Sequence, residues 1–199
     1  MAGKSNGERG SWPIFFCEDN RMLSIEMIRT RLSQHQPQSI AESFTRQAAV
    51  AMLLTPGEQG QEVLFIRRAE HDDDPWSGDV AFPGGGVEAQ DSGAQQTAER
   101  EVREEIGFSL QPEHYLGQLD DLTGAYLSVR VCCFVYLLPE KPQLKLNGEV
   151  VDTFWVSLRE LQSPTRRRMA SFAYRGTYRT HPIISLEGYC EHFLWGMTY

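Results

Sequence analysis

The stretch from Gly84 to Phe108, GGGVEAQDSGAQQTAEREVREEIGF, limits the fold more than any other part of the chain. Three consecutive glycines let a backbone turn tightly or approach another group closely. The residues after them predict a helix from roughly Ser92 to Ile106, ended by Gly107 as a left-handed cap. Ala94, Ala98, Val102 and Ile106 recur at helical spacing and make one apolar face. Glu101, Glu104 and Glu105 stand at i, i+3 and i+4 and share another face. A helix of this kind needs an apolar layer beneath it and a cleft in front of its carboxylates.

The rest of the chain supplies the layer. A helix is expected over Leu23–Gln34 with Ser24 as its N-cap, and apolar Ile25, Ile28 and Leu32 on one side. Ala48–Leu54 and Val63–Ile66 read as strands joined by a turn at Pro56-Gly57 and Gly60. A loop from Arg67 to Asp79, a short strand at Val80–Phe82 and a flexible bend at Pro83–Gly86 precede the long helix. Strands follow at Tyr115–Leu122, Val129–Leu138 and Thr153–Val156, then a short helix at Ser157–Leu161. One more strand near Pro182–Ser185 and a C-terminal helix around Cys190–Met197 complete the expectation. Strands and helices do not alternate strictly, so the fold class is α/β with a mixed sheet between helices, not a doubly wound sheet. Three regions are expected: a flexible tail over 1–20, a helical extension over 21–46, and the main domain over 47–199.

Composition narrows the function. The formal net charge of −8 argues against a general nucleic-acid binder, which needs a basic face. It is compatible with a phosphorylated small molecule when a metal ion brings the positive charge. Cys17, Cys132, Cys133 and Cys190 form no CxxC pair and read as reduced, mostly buried thiols. No apolar run is long enough to span a membrane, and the first residues lack a signal-peptide core, so a cytoplasmic location is expected. Three features read as decoys: Asp72-Asp73-Asp74 as a solvated loop, Arg166-Arg167-Arg168 as a solvated turn, and five scattered histidines without zinc spacing.

The three glutamates carry the chemistry. Close carboxylates oppose one another's ionisation. A hard divalent cation reverses that sign, because Mg²⁺ takes carboxylate oxygens together with substrate phosphates. Arg100, one residue before Glu101 and four before Glu104, is placed to hold a carboxylate by charge-assisted hydrogen bonds. Arg67 and Arg68 end a hairpin strand beside the glycines and are candidates for contact with a phosphate; Gly84, Gly85 and Asp91 join them as candidate substrate-binding positions.

The string Arg100-Glu101-Val102-Arg103-Glu104-Glu105-Ile106-Gly107-Phe108 resembles the signature helix of the Nudix hydrolase family at each defining position. The resemblance implies a Nudix-type α/β/α sandwich and hydrolysis of a nucleoside diphosphate linked to another group. It implies Mg²⁺ or Mn²⁺ on Glu101, Glu104 and Glu105, with Arg100 orienting them. The general base stays open among Glu104, Glu105 and Glu149. Counted back from Arg100, the family's usual glutamate position holds Ser92. Phe82-Pro83-Gly84-Gly85 followed by Asp91 resembles instead the coenzyme A pyrophosphatase-like branch, which Arg68, Gly78 and Trp195-Gly196-Met197-Thr198 also fit. Asp79 and Gly86 depart from that branch, which often has Gln and Lys there. The resemblance implies a nucleotide-like small-molecule substrate, coenzyme A or an acyl-CoA first. ADP-ribose, a dinucleotide or a nucleoside triphosphate is the alternative within the family, and a silent nucleotide-binding module the alternative outside catalysis. It also allows a homodimer.

Overall fold

The computed structural model describes residues 24–40, 44–71, 76–124, 128–174 and 176–199. The expected 1–20 tail, Cys17 and the Asp72–Asp74 run lie outside them. A mixed sheet forms the middle layer. Its long strands are β1 (Arg46–Gly57), β2 (Gly60–Arg68), β7 (Val129–Leu137) and β8 (Val150–Ser157). Short strands complete it: β3 (Val80–Ala81), β4 (Gly84–Gly86), β5 (Tyr115–Gln118) and β6 (Leu122–Thr123). β1 runs parallel to β7 over its length, and the other pairings are antiparallel.

The sheet contains a split that matters for the site. β1 and β2 pair only near their turn, from Leu54↔Val63 to Gly57↔Gly60. Beyond that they diverge, and the segment Val80–Gly86 fills the gap. β3 pairs with β2, the Pro83 carbonyl accepts from Ala51 N–H at 2.8 Å, and β4 pairs with β1. The glycines are therefore a hydrogen-bonded strand, where glycine content alone predicted a flexible bend. Ladder bonds to β1 replace the local flexibility.

Two helices cover opposite faces. Residues alternate across a strand, so Ala49, Ala51, Leu53, Leu64, Ile66, Phe134 and Tyr136 face one way. There they meet Ala98, Val102 and Ile106 of α2 (Ala94–Ile106). Met52, Leu54, Val63, Phe65 and Val135 face the other way, toward Ile28 and Leu32 of α1 (Ile25–Gln34). Cys132 and Cys133 divide between the two faces as strand alternation requires. Ser24 caps α1 by accepting from Met27 N–H at 3.3 Å, and Gly107 caps α2 at φ 69°. α2 begins at Ala94, later than expected, because Ser92 and Gly93 belong to the turn that Asp91 organises.

The C-terminal third differs most from expectation. After the short helix α3 (Leu158–Gln162), β9 (Arg167–Tyr174) and β10 (Thr177–Ser185) form a long hairpin. β11 (Phe193–Leu194) adds to β10 through Ile184↔Leu194. The helix expected at Cys190–Met197 is absent, because its Phe-Leu pair is recruited as a paired strand and Gly196, at φ 62°, turns the chain afterwards. Arg167 and Arg168 lie in β9, not in a turn. Arg166 alone sits in a turn, where it donates to the carbonyls of Ser185 and Glu187 at 3.0 and 2.9 Å and pairs with Glu160. Among the described residues no helix is long and apolar enough to cross a membrane.

Candidate active site

The site is built where α2 lies over β4. Gly85 is required by closeness: a Cβ there would stand 2.2 Å from Glu101 Oε1. At Gly84 a Cβ would stand 2.3 Å from the Ala49 carbonyl oxygen, on a backbone with φ +157°. Any side chain at these two positions displaces either β4 or the carboxylates. With glycine present, the Gly84 N–H donates to Glu105 Oε2 at 2.9 Å.

Arg100 organises the carboxylates. Its Nε and Nη2 donate to the two oxygens of Asp91 at 3.0 and 3.1 Å. Its Nη1 donates to Glu101 Oε1 at 3.0 Å and Glu104 Oε2 at 2.9 Å, and its Nη2 also donates to the Gly86 carbonyl at 3.1 Å. A guanidinium has five N–H donors in a planar fork, which suits this many acceptors; a lysine has no such geometry. Asp91 is itself held by Thr97 Oγ1 and by the Glu88 N–H, both at 2.9 Å. The Arg100 guanidinium keeps the Asp91 carboxyl well below the usual carboxylate range. Both Asp91 oxygens face inward, so Asp91 acts on Arg100; direct contact with a substrate, expected from sequence, does not match this placement.

The glutamates differ in burial and therefore in charge. Glu105 is 1% exposed, and burial pushes its carboxyl up to about 8 against the hydrogen bond from Gly84. Arg68 Nη1 stands 3.6 Å from Glu105 Oε1 and offsets part of that cost. Burial also raises Glu101, opposed by Arg100 and reinforced by the charges of Glu104 and Glu149. Glu104 is half-exposed and Glu149 exposed. Glu149 reaches the cluster because its carbonyl accepts from Ala69 N–H at 2.7 Å, tying its loop to the end of β2.

The expected site residues thus fall into two groups. Glu101, Glu104, Glu105, Arg100, Asp91, Arg68, Gly84 and Gly85 come together, with Glu149 near enough for its charge to act on Glu101 and Glu105. Arg67 does not. It lies near Cys190, whereas Arg68 meets Glu105; the β2–β8 register shifts between the two arginines. The role of Asp91 as the partner of Arg100 was only half visible in the sequence, since nine positions separate them. Thr97 was missed; its place one turn before Glu101 on α2 was the available signal.

The donor chemistry fits a hard divalent ion: several carboxylate oxygens, two of them in glutamates whose charged forms burial disfavours. Among the described residues no three acidic, histidine or cysteine side chains already converge tightly enough to enclose an ion.

A family model for the NUDIX domain matches residues 45–177. An uncharacterized Nudix hydrolase, NudL, from Yersinia enterocolitica is 30% identical over 92% of this chain and 91% of its own length. The human mitochondrial coenzyme A diphosphatase NUDT8 is 31% identical over 76% of this chain and 64% of its own. An uncharacterized Schizosaccharomyces pombe protein is 31% identical over 76% of this chain, which spans 54% of that relative. Among solved structures, the NUDIX domain of Shewanella oneidensis NrtR is 23% identical, with TM-score 0.48 over 68% of this chain and 86% of that one. Signature helix, glycine strand and family match agree: the chain belongs to the Nudix hydrolase family.

Proposed function

We propose that the protein hydrolyses a diphosphate linkage in a nucleoside diphosphate derivative, with coenzyme A or an acyl-CoA as the leading substrate. The observation that carries the reading is the pair of the buried Glu105 and the part-buried Glu101, the latter clamped by Arg100, both pressed against glycines that no side chain can replace. Burying carboxylates this way is costly without a compensating cation. The NudL and NUDT8 likenesses support the coenzyme A branch, as do Phe82-Pro83-Gly84-Gly85 and Asp91.

Glu101, Glu104 and Glu105 are the residues that would hold Mg²⁺ or Mn²⁺. When bound, the ion neutralises phosphate charge and makes a coordinated water more acidic. Arg100 orients Glu101 and Glu104, and Asp91 keeps Arg100 in place. Arg68 meets charge on the phosphates from the end of β2. Glu105 is enclosed, with Oε2 engaged by the Gly84 N–H and Oε1 beside Arg68, so it is poorly placed to reach a substrate water. Glu149 is exposed and its charge acts on Glu101 and Glu105, and we assign it as general base. The three free thiols Cys132, Cys133 and Cys190 support a reducing, cytoplasmic setting.

The test is incubation with coenzyme A, ADP-ribose, NADH, diadenosine polyphosphates and nucleoside triphosphates, each with Mg²⁺, Mn²⁺ or chelator. Metal-dependent release of 3′,5′-ADP and 4′-phosphopantetheine from coenzyme A is expected. Cleavage of another diphosphate alone discards the branch, and no cleavage of any by the folded protein discards the enzyme. Glu149→Gln is expected to lower kcat about 10²–10⁴-fold with little change in stability; full turnover in that variant moves the base elsewhere.

A further inference from the structure

A cavity of about 920 Å³ opens beside the carboxylate site. Ala48, Val50, Val131 and Cys133 line it from β1 and β7. Tyr174, His181 and Trp195 close it from the C-terminal segment. Trp195 is the hub of that wall. Its ring centroid lies 4.8 Å from Tyr174, 5.0 Å from Phe172 and 5.5 Å from His181. Its Nε1–H donates to Asp79 Oδ1 at 3.0 Å. Asp79 directly precedes β3, so this bond ties the C-terminal wall to the strand leading into Phe82–Gly85.

Two features say what the cavity takes. Arg68 and Gly84–Gly86 line it and also belong to the carboxylate site, so a group attached to a diphosphate there extends into it. Its interior is aliphatic and aromatic, and among the described lining residues Asp79 is the one carboxylate, already engaged by Trp195. The volume is near the upper end of small-molecule sites, about 300–1,000 Å³, far more than a phosphate needs. Arg46, Arg68, His71 and His181 also line it, but apolar groups make up most of the wall.

We propose that this cavity receives the extended, uncharged, largely aliphatic arm of the diphosphate substrate, and that Trp195 is a positioning residue for that arm. The assignment rests on the pyrophosphohydrolase reading above and sharpens it: the phosphates lie at β4, and the arm lies under the C-terminal hairpin.

Trp195→Ala, Trp195→Phe and Tyr174→Ala test it, with coenzyme A as substrate and its two product halves as inhibitors. Trp195→Ala is expected to raise KM about tenfold with kcat within about twofold, a loss typical of one interface aromatic. Inhibition by 4′-phosphopantetheine weakens equally and inhibition by 3′,5′-ADP is unchanged. Trp195→Phe, which keeps an aromatic wall, retains most of the affinity. Loss confined to 3′,5′-ADP, equal loss for both halves, or no loss overturns the assignment. If Trp195→Ala does not fold by circular dichroism, Tyr174→Ala is read in the same way. If wild type cleaves no diphosphate, calorimetric binding of 4′-phosphopantetheine decides instead. Binding weakened by the Tyr174 or Trp195 variants keeps the cavity assignment, and absent or unaltered binding rejects it.

Discussion

The α2–β4 site and the C-terminal hairpin are built on opposite plans. At α2–β4, a short stretch of chain brings charged groups into a place where they oppose one another. Burial raises Glu101 and Glu105, opposed by Arg100, Arg68 and the Gly84 N–H. At the hairpin, aromatic rings from Phe172, Tyr174, His181, Phe193 and Trp195 gather from separate strands and mutually satisfy each other. The first region is unfavourable in itself and is held by its surroundings. The second is favourable in itself and shapes a wall. Strain of the first kind is characteristic of functional sites.

The largest effect that separates the two regions is expected at Glu105. Glu105→Gln removes a carboxylate from the proposed ion-holding set and should lower kcat/KM at least about 10²-fold. The same change should stabilise the metal-free protein at neutral pH by on the order of a few kcal/mol. The sign follows from the raised carboxyl. Between its ordinary value of 4.5 and about 8 the folded state binds more protons than the unfolded state. Stability of the wild type therefore falls as pH rises through that window. Thermal melts in chelator from pH 5 to 8 check it: the Gln variant should show a flatter profile, and equal slopes would dissolve the contrast between the regions.

Next comes Arg100→Ala, which leaves Asp91 and Glu101 without their shared cation. It should cost about 3 kcal/mol in denaturant unfolding and take activity with it. Arg100→Lys should rescue little of either, since one ammonium cannot reach four acceptors. Gly85→Ala follows. The added methyl collides with Glu101, so turnover should fall about tenfold or more, because a misplacement near 1 Å at the reacting centre is severe. The smallest effect is at Tyr178, which is 79% exposed on the outer face of the hairpin. Tyr178→Ala should stay within about 0.5 kcal/mol of wild type in stability and leave KM unchanged. A large KM change there would mean that the outer face, and not the inner wall, meets the substrate.

The two regions also differ in how legible they are. Helix α2, its apolar face, its glycine cap and its carboxylates stand in one stretch whose periodicity is strong, so their grouping could be read directly. Glu149 was placed near the cluster by resemblance. Its actual approach depends on the Ala69–Glu149 backbone bond across two loops. Arg67 and Arg68 were indistinguishable as neighbours in a line and part at the register shift between them. The C-terminal segment misled for a physical reason: Phe193, Leu194 and Trp195 suit a helix or a strand in so short a run, and pairing with Ile184 decides for the strand.

The amino-acid sequence alone determined the signature helix, the two faces it must satisfy, the requirement for a layer beneath it and the oxygen-rich donor set, because these depend on spacing within one or two turns. Tertiary structure decided the rest. Divergence of β1 and β2 made the glycines a strand, and packing of α2 on that strand buried Glu105 and raised its proton affinity. Pairing across the C-terminal hairpin set Trp195 against Asp79, 116 positions away in the chain. Burial and long-range pairing are sums over residues distant in sequence, and no local pattern carries them.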